Sequence, residues 1–374
     1  MKKTKIKIAV FAIHRPLRSP NERYRWHQYE KFLLQNNISA DYYYIVNAHD
    51  DHILFHSKNF IAKIFIYIKT FFKRWQQIQH LSSYDAIFIY RELHWFGLFT
   101  QTLLKKIRKK TPLIIFDFDD AVWINSRNPL INLIKKPRKK TIAFIQHADK
   151  VIAGNAYLAA FAQQYNPHTQ IIPTVVDTDY FKPLPDYKHP HSSVTIGWMG
   201  SHSTLNHLKT IIPVLKKIKT QYPQVTFRFV GKKEYIPELD TYVEDWNKEK
   251  EVEILNSFDI GIMPLPDDEW SKGKCGLKLL TYLACEVPAI ASNVGVNKEI
   301  IEKSNGGYCC SNENEWTEKL SLLIENSSLR TQLGQQGRKN IEKYYSLNAW
   351  KEVFLNTIIS NISHLSTPST IKIK

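Results

Sequence analysis

The chain has 374 residues, of which 43% are hydrophobic and 13% aromatic. This length suits two domains of about 180 residues each, and the composition excludes an intrinsically disordered protein. The net charge is +16: residues 1–186 hold 28 Lys and Arg against 14 Asp and Glu, a net of +14, and the remainder holds 23 against 21, a net of +2. This asymmetry predicts that the N-terminal half meets something anionic.

The first half alternates short apolar strands with segments of helical periodicity, which predicts a parallel sheet with helices on both faces. Strands are predicted at 5–12, 40–46, 85–90, 113–117 and 150–153, and helices at 22–36, 61–81, 95–109, 130–147 and 155–165. The basic start MKKTKIKIAVFAIHRP alternates like a strand and lacks the cleavage site of a signal peptide. A Pro-rich stretch at 180–185, followed by 188–191, predicts a linker and a first domain of residues 1–186.

The second half starts a new strand–helix series and predicts a second domain of residues 187–346. Strands are predicted at 194–199, 225–231, 259–264 and 289–292. One helix is predicted to start at residue 205, and further helices are predicted at 248–258, 276–285, 313–326 and 329–344. A last helix at 347–362 precedes a frayed basic tail at 366–374.

The cysteines carry no metal or disulfide pattern. Cys275, Cys285, Cys309 and Cys310 show no CxxC pairing and no metal-type spacing with histidines. We interpret them as small buried hydrophobic side chains in a reducing cytoplasm. No apolar run is long and uncharged enough to span a bilayer.

The stretch from Gly261 to Gly295 carries the most specific functional pattern. It predicts a strand, a loop with Gly273, Lys274, Gly276 and Lys278, a helix starting near Leu277, and a second strand. Unpaired N–H groups and the positive end of the helix dipole make such a helix start an anion site. The two lysines favour a phosphorylated ligand; the alternative is that they are solvated surface lysines.

This stretch resembles the donor-binding segment of GT-B-type glycosyltransferases, especially family 4 and the "glycosyl transferases group 1" relatives. Four further segments look like family landmarks: RYRWHQYEKFL (23–33), DFDDAVW (117–123), HADKVIAGNAYLA (147–159) and IIPTVVDTDYFKP (171–183). The resemblance implies an α/β GT-B fold, with two Rossmann-like domains whose parallel sheets face a cleft. It also implies that residues 347–374 begin with a helix that crosses back to the first domain.

The resemblance implies that the C-terminal domain binds the diphosphate of a nucleotide-sugar. Lys274 and Lys278 are then the cations that stabilise the leaving diphosphate, whose charge grows in the transition state. The residues expected to contact the donor are Gly200, Ser201, Gly273, Gly276, Leu277, Thr281 and Glu299. It further implies retention of anomeric configuration, no cofactor and no metal.

The chain departs from the family pattern at the donor loop. Family 4 enzymes usually carry a Glu at the start of this loop and another eight positions later, where this chain has Gly273 and Thr281. The second Glu typically holds the ribose hydroxyls, and Thr281 offers one hydroxyl. In place of a basic pair after the first strand of the domain, this chain has Ser201, His202 and, further on, Lys209.

On the acceptor side, we expect polar residues at the ends of strands of the first domain. Asp119 and Asp120 follow a strand, where they are expected to accept or orient the proton of an acceptor hydroxyl. The alternatives for this run are a metal site or a helix N-cap before a core Trp123. His14, Arg23 and Arg25 are expected to hold an anionic group, with ordinary helix-surface arginines as the alternative. Glu299 follows a glycine turn and is expected to touch the donor sugar; the alternative is that a carboxylate in the first turn of a helix needs no further role.

The segment FIAKIFIYIKTFFKRWQQ predicts a basic amphipathic helix, with large apolar residues at helical spacing and lysines between them. Such a helix is typical of a membrane-surface element, and KKPRKK at 135–140 favours the same interpretation. The alternative is a helix that packs its apolar face on the core and exposes a solvated face.

Together these patterns predict a cytoplasmic glycosyltransferase, peripheral to the inner face of the membrane, acting in cell-surface polysaccharide assembly. Its partners are a nucleotide-sugar donor, a lipid-linked or saccharide acceptor and an anionic membrane surface, with no nucleic acid. Two alternatives remain open: a GT-B-fold nucleotide-sugar epimerase, and a non-enzymatic basic protein that binds membrane or nucleic acid.

Overall fold

The computed structural model describes residues 5–16, 18, 20–111, 113–126, 128–185, 193–201 and 204–363. Its contacts divide the chain into two compact units. Unit 1 is Met1–Pro173 together with Lys351–Lys374, and unit 2 is Thr174–Trp350. Residues from Lys351 onward therefore group with the first unit although they follow the second in sequence. Residues 188–191 of the predicted linker and the predicted tail at 366–374 lie outside the described residues.

Unit 1 contains a parallel six-stranded sheet in the order β2-β1-β3-β4-β5-β6. Its strands are β1 (Ile6–His14), β2 (Ile38–Val46), β3 (Ala86–Tyr90), β4 (Ile114–Phe118), β5 (Lys150–Ala153) and β6 (Thr169–Ile171). Its helices are α1 (Pro20–Arg25), α2 (Glu30–Gln35), α3 (Ala48–His56), α4 (Phe60–Gln79), α5 (Thr100–Arg108), α6 (Pro129–Lys135), α7 (Pro137–His147) and α8 (Ala156–Gln163). The central strands are continuous apolar runs because both faces of the sheet are covered.

Two helices predicted as single segments are each broken in the structure. The segment 22–36 divides into α1, a 3-10 turn at His27–Tyr29 and α2. The segment 130–147 divides into α6 and α7 at Lys136, whose φ is 43°. The residue before a proline avoids the helical conformation, and Pro137 follows Lys136 directly, so the break has a local cause.

Unit 2 contains a seven-stranded sheet in the order β13-β12-β11-β7-β8-β10-β9. Its strands are β7 (Thr195–Met199), β8 (Thr226–Gly231), β9 (Glu234–Ile236), β10 (Thr241–Asp245), β11 (Ile260–Met263), β12 (Ala289–Ser292) and β13 (Gly307–Cys310). All neighbours are parallel except β9 and β10 at one edge, which form an antiparallel pair. The predicted strands of this domain are present, and β9, β10 and β13 are additional to them.

The helices of unit 2 cover both faces of its sheet. They are α9 (Leu205–Lys209), α10 (Ile212–Gln221), α11 (Glu251–Asn256), α12 (Glu269–Lys272), α13 (Leu277–Ala284), α14 (Asn297–Ser304), α15 (Glu313–Glu325) and α16 (Ser327–Tyr344). One core cluster joins apolar side chains of β7, β8 and β11 to those of α10 and α15. A sheet built from such long-range contacts holds the loops that follow β7 and β11 in fixed positions.

The final helix, α17 (Leu347–Ser363), supplies apolar side chains to unit 1 from residue 351 onward. Phe354 is fully buried, and its ring stacks on Tyr29 with centroids 4.0 Å apart. The ring of Trp26 lies 5.9 Å from Phe354 in an edge-on arrangement. The core of unit 1 therefore includes a segment far away in sequence.

The cysteines differ in burial. Cys285 and Cys310 are buried, as expected, but Cys275 and Cys309 are only half-buried, and all four are free thiols. The expectation of four buried cysteines is thus wrong for two of them, because Cys275 lies in the loop before α13, and Cys309 is on the opposite face of edge strand β13 from the buried Cys310.

Candidate functional site

The strand order of unit 2 places a crevice where β7 and β11 lie side by side. The connection after β7 leads to β8 on one side, and that after β11 leads to β12 on the other. At such a switch point the two connections diverge, and ligands of open α/β sheets bind outside the carboxyl ends of the strands there. Gly200 and Ser201 follow β7, and the loop with Gly273 and Lys274 follows β11.

Helix α13 begins at this edge without a side-chain cap. Its N-cap residue is Gly276, with φ 70°, which has no side chain to cap the helix. A Cβ at Gly276 would lie 2.1 Å from Cδ1 of Ile300 on α14, so a side chain here would have to displace the end of Ile300 as well as adopt a strained φ. The start of this helix, at Gly276 and Leu277, is therefore a place where backbone N–H groups and the helix dipole favour an anion.

Tyr282 fixes α13 against the strand ends. Its hydroxyl accepts from the N–H of Met199 at the end of β7 (3.0 Å) and donates to the carbonyl of Ile262 in β11 (3.3 Å). The side chain is fully buried. This contact fixes the position of the helix relative to the two strands that form the crevice.

Two lysines and a histidine come together beside the start of α13. The ammonium of Lys278 lies 5.9 Å from the ring centroid of Trp198 in β7, and that of Lys274 lies 4.9 Å from the ring of Trp270. Burial, followed by the charges of Lys278 and Lys274, lowers the pKa of His207 to about 4. Its Nδ1 is buried without a hydrogen-bond partner. His207 is thus neutral at pH 7 and faces positive charge.

The remaining residues predicted at the donor site have identifiable partners. The N–H of Gly200 donates to Val230, and the carbonyl of Ser201 accepts from Thr204, each at 2.9 Å. The N–H of Gly273 donates to Trp270 at 3.1 Å. Thr281 is 7% exposed, and its hydroxyl donates to the carbonyl of Lys278 within α13.

Glu299 lies on α14, and its carboxylate accepts from Lys303 at 2.7 Å and from the hydroxyl of Tyr345 at 3.4 Å. Glu299 directly precedes Ile300, whose side chain lies against Gly276. An i, i+4 ion pair already uses its charge.

Unit 1 has a corresponding switch point between β1 and β3. His14 ends β1, and Arg91 follows β3 with φ 58°, an unusual conformation for a residue other than glycine. Nε of Arg91 donates to Asp119 at 2.6 Å, and its Nη2 contacts Asp120. Although burial opposes its charge, these carboxylates hold the pKa of Arg91 well above its ordinary value.

Asp119 and Asp120 are therefore half of an ion-pair cluster at the end of β4. The hydroxyl of Tyr90 also donates to Asp119 at 2.9 Å. Residues 121–126 form a turn, not a helix, so the helix N-cap alternative is wrong. The core position of Trp123 is confirmed, since its ring stacks on Phe161 at 3.9 Å.

Glu22 on α1 lies in the same polar cluster. It is 3% exposed, and its Oε2 has no hydrogen-bond partner. Burial raises the pKa of Glu22 to about 8, against the opposing charge of Arg91 and with the added repulsion of Asp119. Burial also lowers the pKa of His14, although the carboxylate of Asp51, 3.7 Å away, favours its charged form.

The two arginines predicted beside His14 differ in their surroundings. Arg25 is 2% exposed, and its three guanidinium nitrogens donate to the carboxylate of Asp117 and the carbonyl of Ile172. Arg25 therefore forms an ion pair in the core and is not an ordinary helix-surface arginine. Arg23 is half-buried, with its guanidinium 5.4 Å from the ring of Tyr24.

Three residues of these clusters were absent from the predicted site: His207, Arg91 and Glu22. Arg91 had a signal, since it follows directly on the apolar run of β3. Glu22 and His207 had none, because their burial depends on packing from distant segments.

Known proteins resemble the chain in its C-terminal half and in its fold. Residues 193–326 match the family model described as glycosyl transferases group 1. Spore coat protein SA of Bacillus subtilis is 24% identical over 185 residues, which cover 45% of this chain and 48% of the relative. The chain thus spans about half the length of that curated relative.

Two solved structures show the same fold over nearly the whole chain. Sucrose-phosphate synthase from Thermosynechococcus elongatus superposes with a TM-score of 0.73 at 14% identity, over 96% of this chain and 100% of that structure. The Anabaena protein HepE, in complex with UDP-glucose, gives 0.67 at 13% identity, over 95% and 100%. The predicted α/β GT-B fold with two Rossmann-like units is confirmed. Residues 193–326 thus match the glycosyl transferases group 1 model, and the resemblance predicted from the sequence is confirmed.

Proposed function

We propose that the chain is a glycosyltransferase of the family 4 type, which moves a hexosyl group from a nucleotide-diphosphate donor. The acceptor is a lipid-linked or free saccharide of cell-surface polysaccharide assembly, and the enzyme works at the anionic inner face of the membrane. The observation that carries the proposal is the uncapped start of α13 with Lys274, Lys278 and a neutral His207 beside it.

The donor side supplies what the leaving diphosphate needs. Backbone N–H groups at the start of α13 are preorganised, and two ammonium groups lie at the same edge of the sheet. Negative charge on the diphosphate grows as the sugar–phosphate bond breaks, so these groups stabilise the transition state more than the ground state. His207 adds a neutral ring that becomes a better hydrogen-bond donor once phosphate neutralises the lysines.

On the acceptor side, we assign the cluster of His14, Glu22 and Arg91 at the switch point of unit 1. Asp119 and Asp120 hold Arg91 in its strained conformation and thereby position its guanidinium. Retention follows the family resemblance, with an oxygen of the leaving phosphate taking the proton of the acceptor hydroxyl. The chain is expected to need no cofactor.

The proposal also includes metal independence. Within the part of the chain that the structure describes, no group of three or more His, Cys, Asp or Glu side chains is arranged to hold a metal ion. Fixed cations at the start of α13 provide the charge stabilisation that a metal provides elsewhere.

The test measures donor binding by saturation-transfer NMR against UDP-, GDP-, ADP- and dTDP-sugars. One donor is expected to bind, and the Lys274→Ala/Lys278→Ala variant is expected to bind it at least about tenfold more weakly, because phosphate contacts with charged groups are strong. Binding is also expected to raise the pKa of His207 above its value of about 4 in the free protein. The pKa is read from the ring chemical shifts and assigned with His207→Gln.

The matched control is Lys216→Ala/Lys217→Ala, which removes two exposed lysines of α10. It is expected to bind the donor like the unchanged protein. Equal loss of donor affinity in both double variants would show that the effect comes from net charge alone, and it would contradict the assigned site. If the bound donor is converted to an epimer without any acceptor, the reaction is epimerisation and the proposed transfer is contradicted.

A further inference from the structure

Helix α4 packs on unit 1 with a face that is half polar. Its buried residues are Ile66, Thr70, Arg74 and Ile78, one per turn along a single side. Arg74 is fully buried, and its guanidinium donates to the carbonyls of Leu93 (2.8 Å) and Ala12 (2.6 Å). The helix is therefore anchored to the sheet by hydrogen bonds as much as by apolar contact.

The opposite side of α4 is apolar and exposed. Its large hydrophobic side chains and their exposed fractions are Phe60 72%, Ile61 79%, Ile64 43%, Phe65 66%, Ile68 47% and Phe72 59%. From Ile61 onward they recur at helical spacing on the side away from the buried residues. A helix that only packed on the core would have the reverse pattern, so the solvated-face alternative for this segment is wrong. Exposed apolar stripes of this size mark interaction sites.

The apolar side continues from α4 onto α6. Phe71 of α4 packs against Phe99, with ring centroids 4.8 Å apart, and Phe99 belongs to a 3-10 turn at Gly97–Phe99. This turn in turn touches the end of α6, where a Cβ on Gly97 would lie 2.1 Å from the carbonyl of Lys135. Leu98 is 56% exposed and Phe99 44%.

Helix α6 itself buries none of its residues. Its four apolar side chains are all exposed: Leu130 71%, Ile131 38%, Leu133 66% and Ile134 46%. We call the exposed apolar residues of α4, the 3-10 turn and α6 the apolar surface; they are Phe60, Ile61, Ile64, Phe65, Ile68, Phe72, Leu98, Phe99, Leu130, Ile131, Leu133 and Ile134.

The sequence segments that form this surface carry no acidic residue, although acidic residues outside them pair with Lys69 and Lys140. Residues 52–84 contain five Lys and Arg, residues 93–116 contain five and residues 121–148 contain six, and none of the three segments contains an Asp or Glu. Some of these cations make contacts inside unit 1; Arg74, for example, donates hydrogen bonds to backbone carbonyls. Lys58, Lys135, Arg138 and Lys139 are exposed beside the helices.

We propose that the apolar surface inserts into the headgroup region of an anionic lipid bilayer, with the neighbouring cations on the lipid phosphates. Apolar burial and attraction of Lys and Arg to acidic lipids act together in such binding. A second copy of the chain is disfavoured as the occupant, because pairing this face would bring the cations of both copies together. The inference rests on the membrane location within the proposed function and names the surface responsible.

The test is flotation of the full chain with vesicles, without donor or acceptor. Vesicles of phosphatidylcholine and phosphatidylglycerol in equal parts are expected to carry the protein, and high salt or pure phosphatidylcholine to weaken binding. Ile61→Glu/Phe65→Glu and Leu130→Glu/Leu133→Glu are each expected to lower the partition coefficient at least about tenfold. These side chains are exposed, so circular dichroism and thermal midpoints are expected to stay unchanged.

The matched control is Leu34→Glu/Tyr242→Glu, which changes two exposed apolar residues outside the apolar surface. If the variants float like the unchanged protein, the membrane location stands, but the proposal that the apolar surface binds the bilayer is contradicted. If the unchanged protein does not float, or if the variants abolish its self-association, both the membrane location and the proposed role of the apolar surface are contradicted. Donor binding is measured separately, so neither outcome is confused with failure of the transfer reaction.

Discussion

Glu22 carries a buried carboxyl group that folding leaves partly unpaired. Burial raises its pKa from 4.5 to about 8 in the folded protein. Between these values the folded state keeps a proton that the unfolded state has lost, so the stability of the protein falls as pH rises through this window. Below pH 4.5 both states are protonated, and Glu22 causes no loss of stability. Above pH 8 the loss of stability is complete.

Replacing Glu22 by Gln removes this charge and its pH dependence. We expect Glu22→Gln to match the unchanged protein to within about 1 kcal/mol near pH 5 and to be more stable near pH 9 by about 4–5 kcal/mol, since the change in pKa from 4.5 to about 8 corresponds to about 1.4 kcal/mol per pKa unit. Thermal midpoints at the two pH values measure the difference. Glu238→Gln, at an exposed site of unit 2, serves as control. A constant offset between Glu22→Gln and the unchanged protein at both pH values would mean that Glu22 titrates normally.

At the scale of single elements, the junction of the donor loop with α13 depends on one glycine. Gly276 combines a φ of 70° with the closest approach to Ile300. An L-residue in this conformation costs about 1 kcal/mol, and overpacking against Ile300 adds about 1–3 kcal/mol. The strain falls on the N–H groups that we assign to the diphosphate.

We therefore expect Gly276→Ala to lower the thermal midpoint and to weaken donor binding more than its effect on stability explains. Adding Ile300→Ala relieves the contact but not the backbone strain, so the double variant is expected to recover packing only in part. Calorimetry of unfolding and of donor titration gives both quantities. Donor affinity unchanged in Gly276→Ala would contradict a role for the start of α13.

Elements with a local signal were predictable from the sequence, and those set by long-range packing were not. Strands at 150–153 and 289–292 occur as predicted, because each is a short apolar run with clear boundaries. The antiparallel pair β9 and β10 escaped prediction, since two segments of three and five residues are too short to show an apolar alternation. Apolar periodicity also identified α4 but left open which side it buries, because only the structure places Arg74 inside and Phe65 outside.

The same division applies to the candidate site. Gly276, Lys274 and Lys278 could be placed from sequence because a glycine-punctuated loop between an apolar strand and an apolar helix fixes where they lie. Glu22 and His207 could not, because their burial arises from neighbours supplied by other segments. The likeness of Arg25 to a ligand-binding arginine was misleading, since Asp117 pairs with it only in the folded sheet.

At the scale of the whole molecule, the described segment after unit 2 belongs to unit 1. Helix α17 contributes the fully buried Phe354 to an aromatic cluster with Trp26, Tyr29 and Phe88 of unit 1. Unit 1 is thus completed only by residues that follow unit 2. Its stability depends on the C-terminal segment, whereas the described core of unit 2 is supplied by one continuous stretch.

Removing the Phe354 ring tests this dependence. We expect Phe354→Ala to destabilise unit 1 by about 3–5 kcal/mol, the usual cost of a cavity of this size. Hydrogen–deuterium exchange is expected to rise in β1 and β3 and to stay unchanged in β7 and β11. Asn356→Ala, on the exposed side of the same helix, is the control. Faster exchange in both sheets would show that the two units unfold together, and no change in β1 would show that unit 1 holds its core without α17.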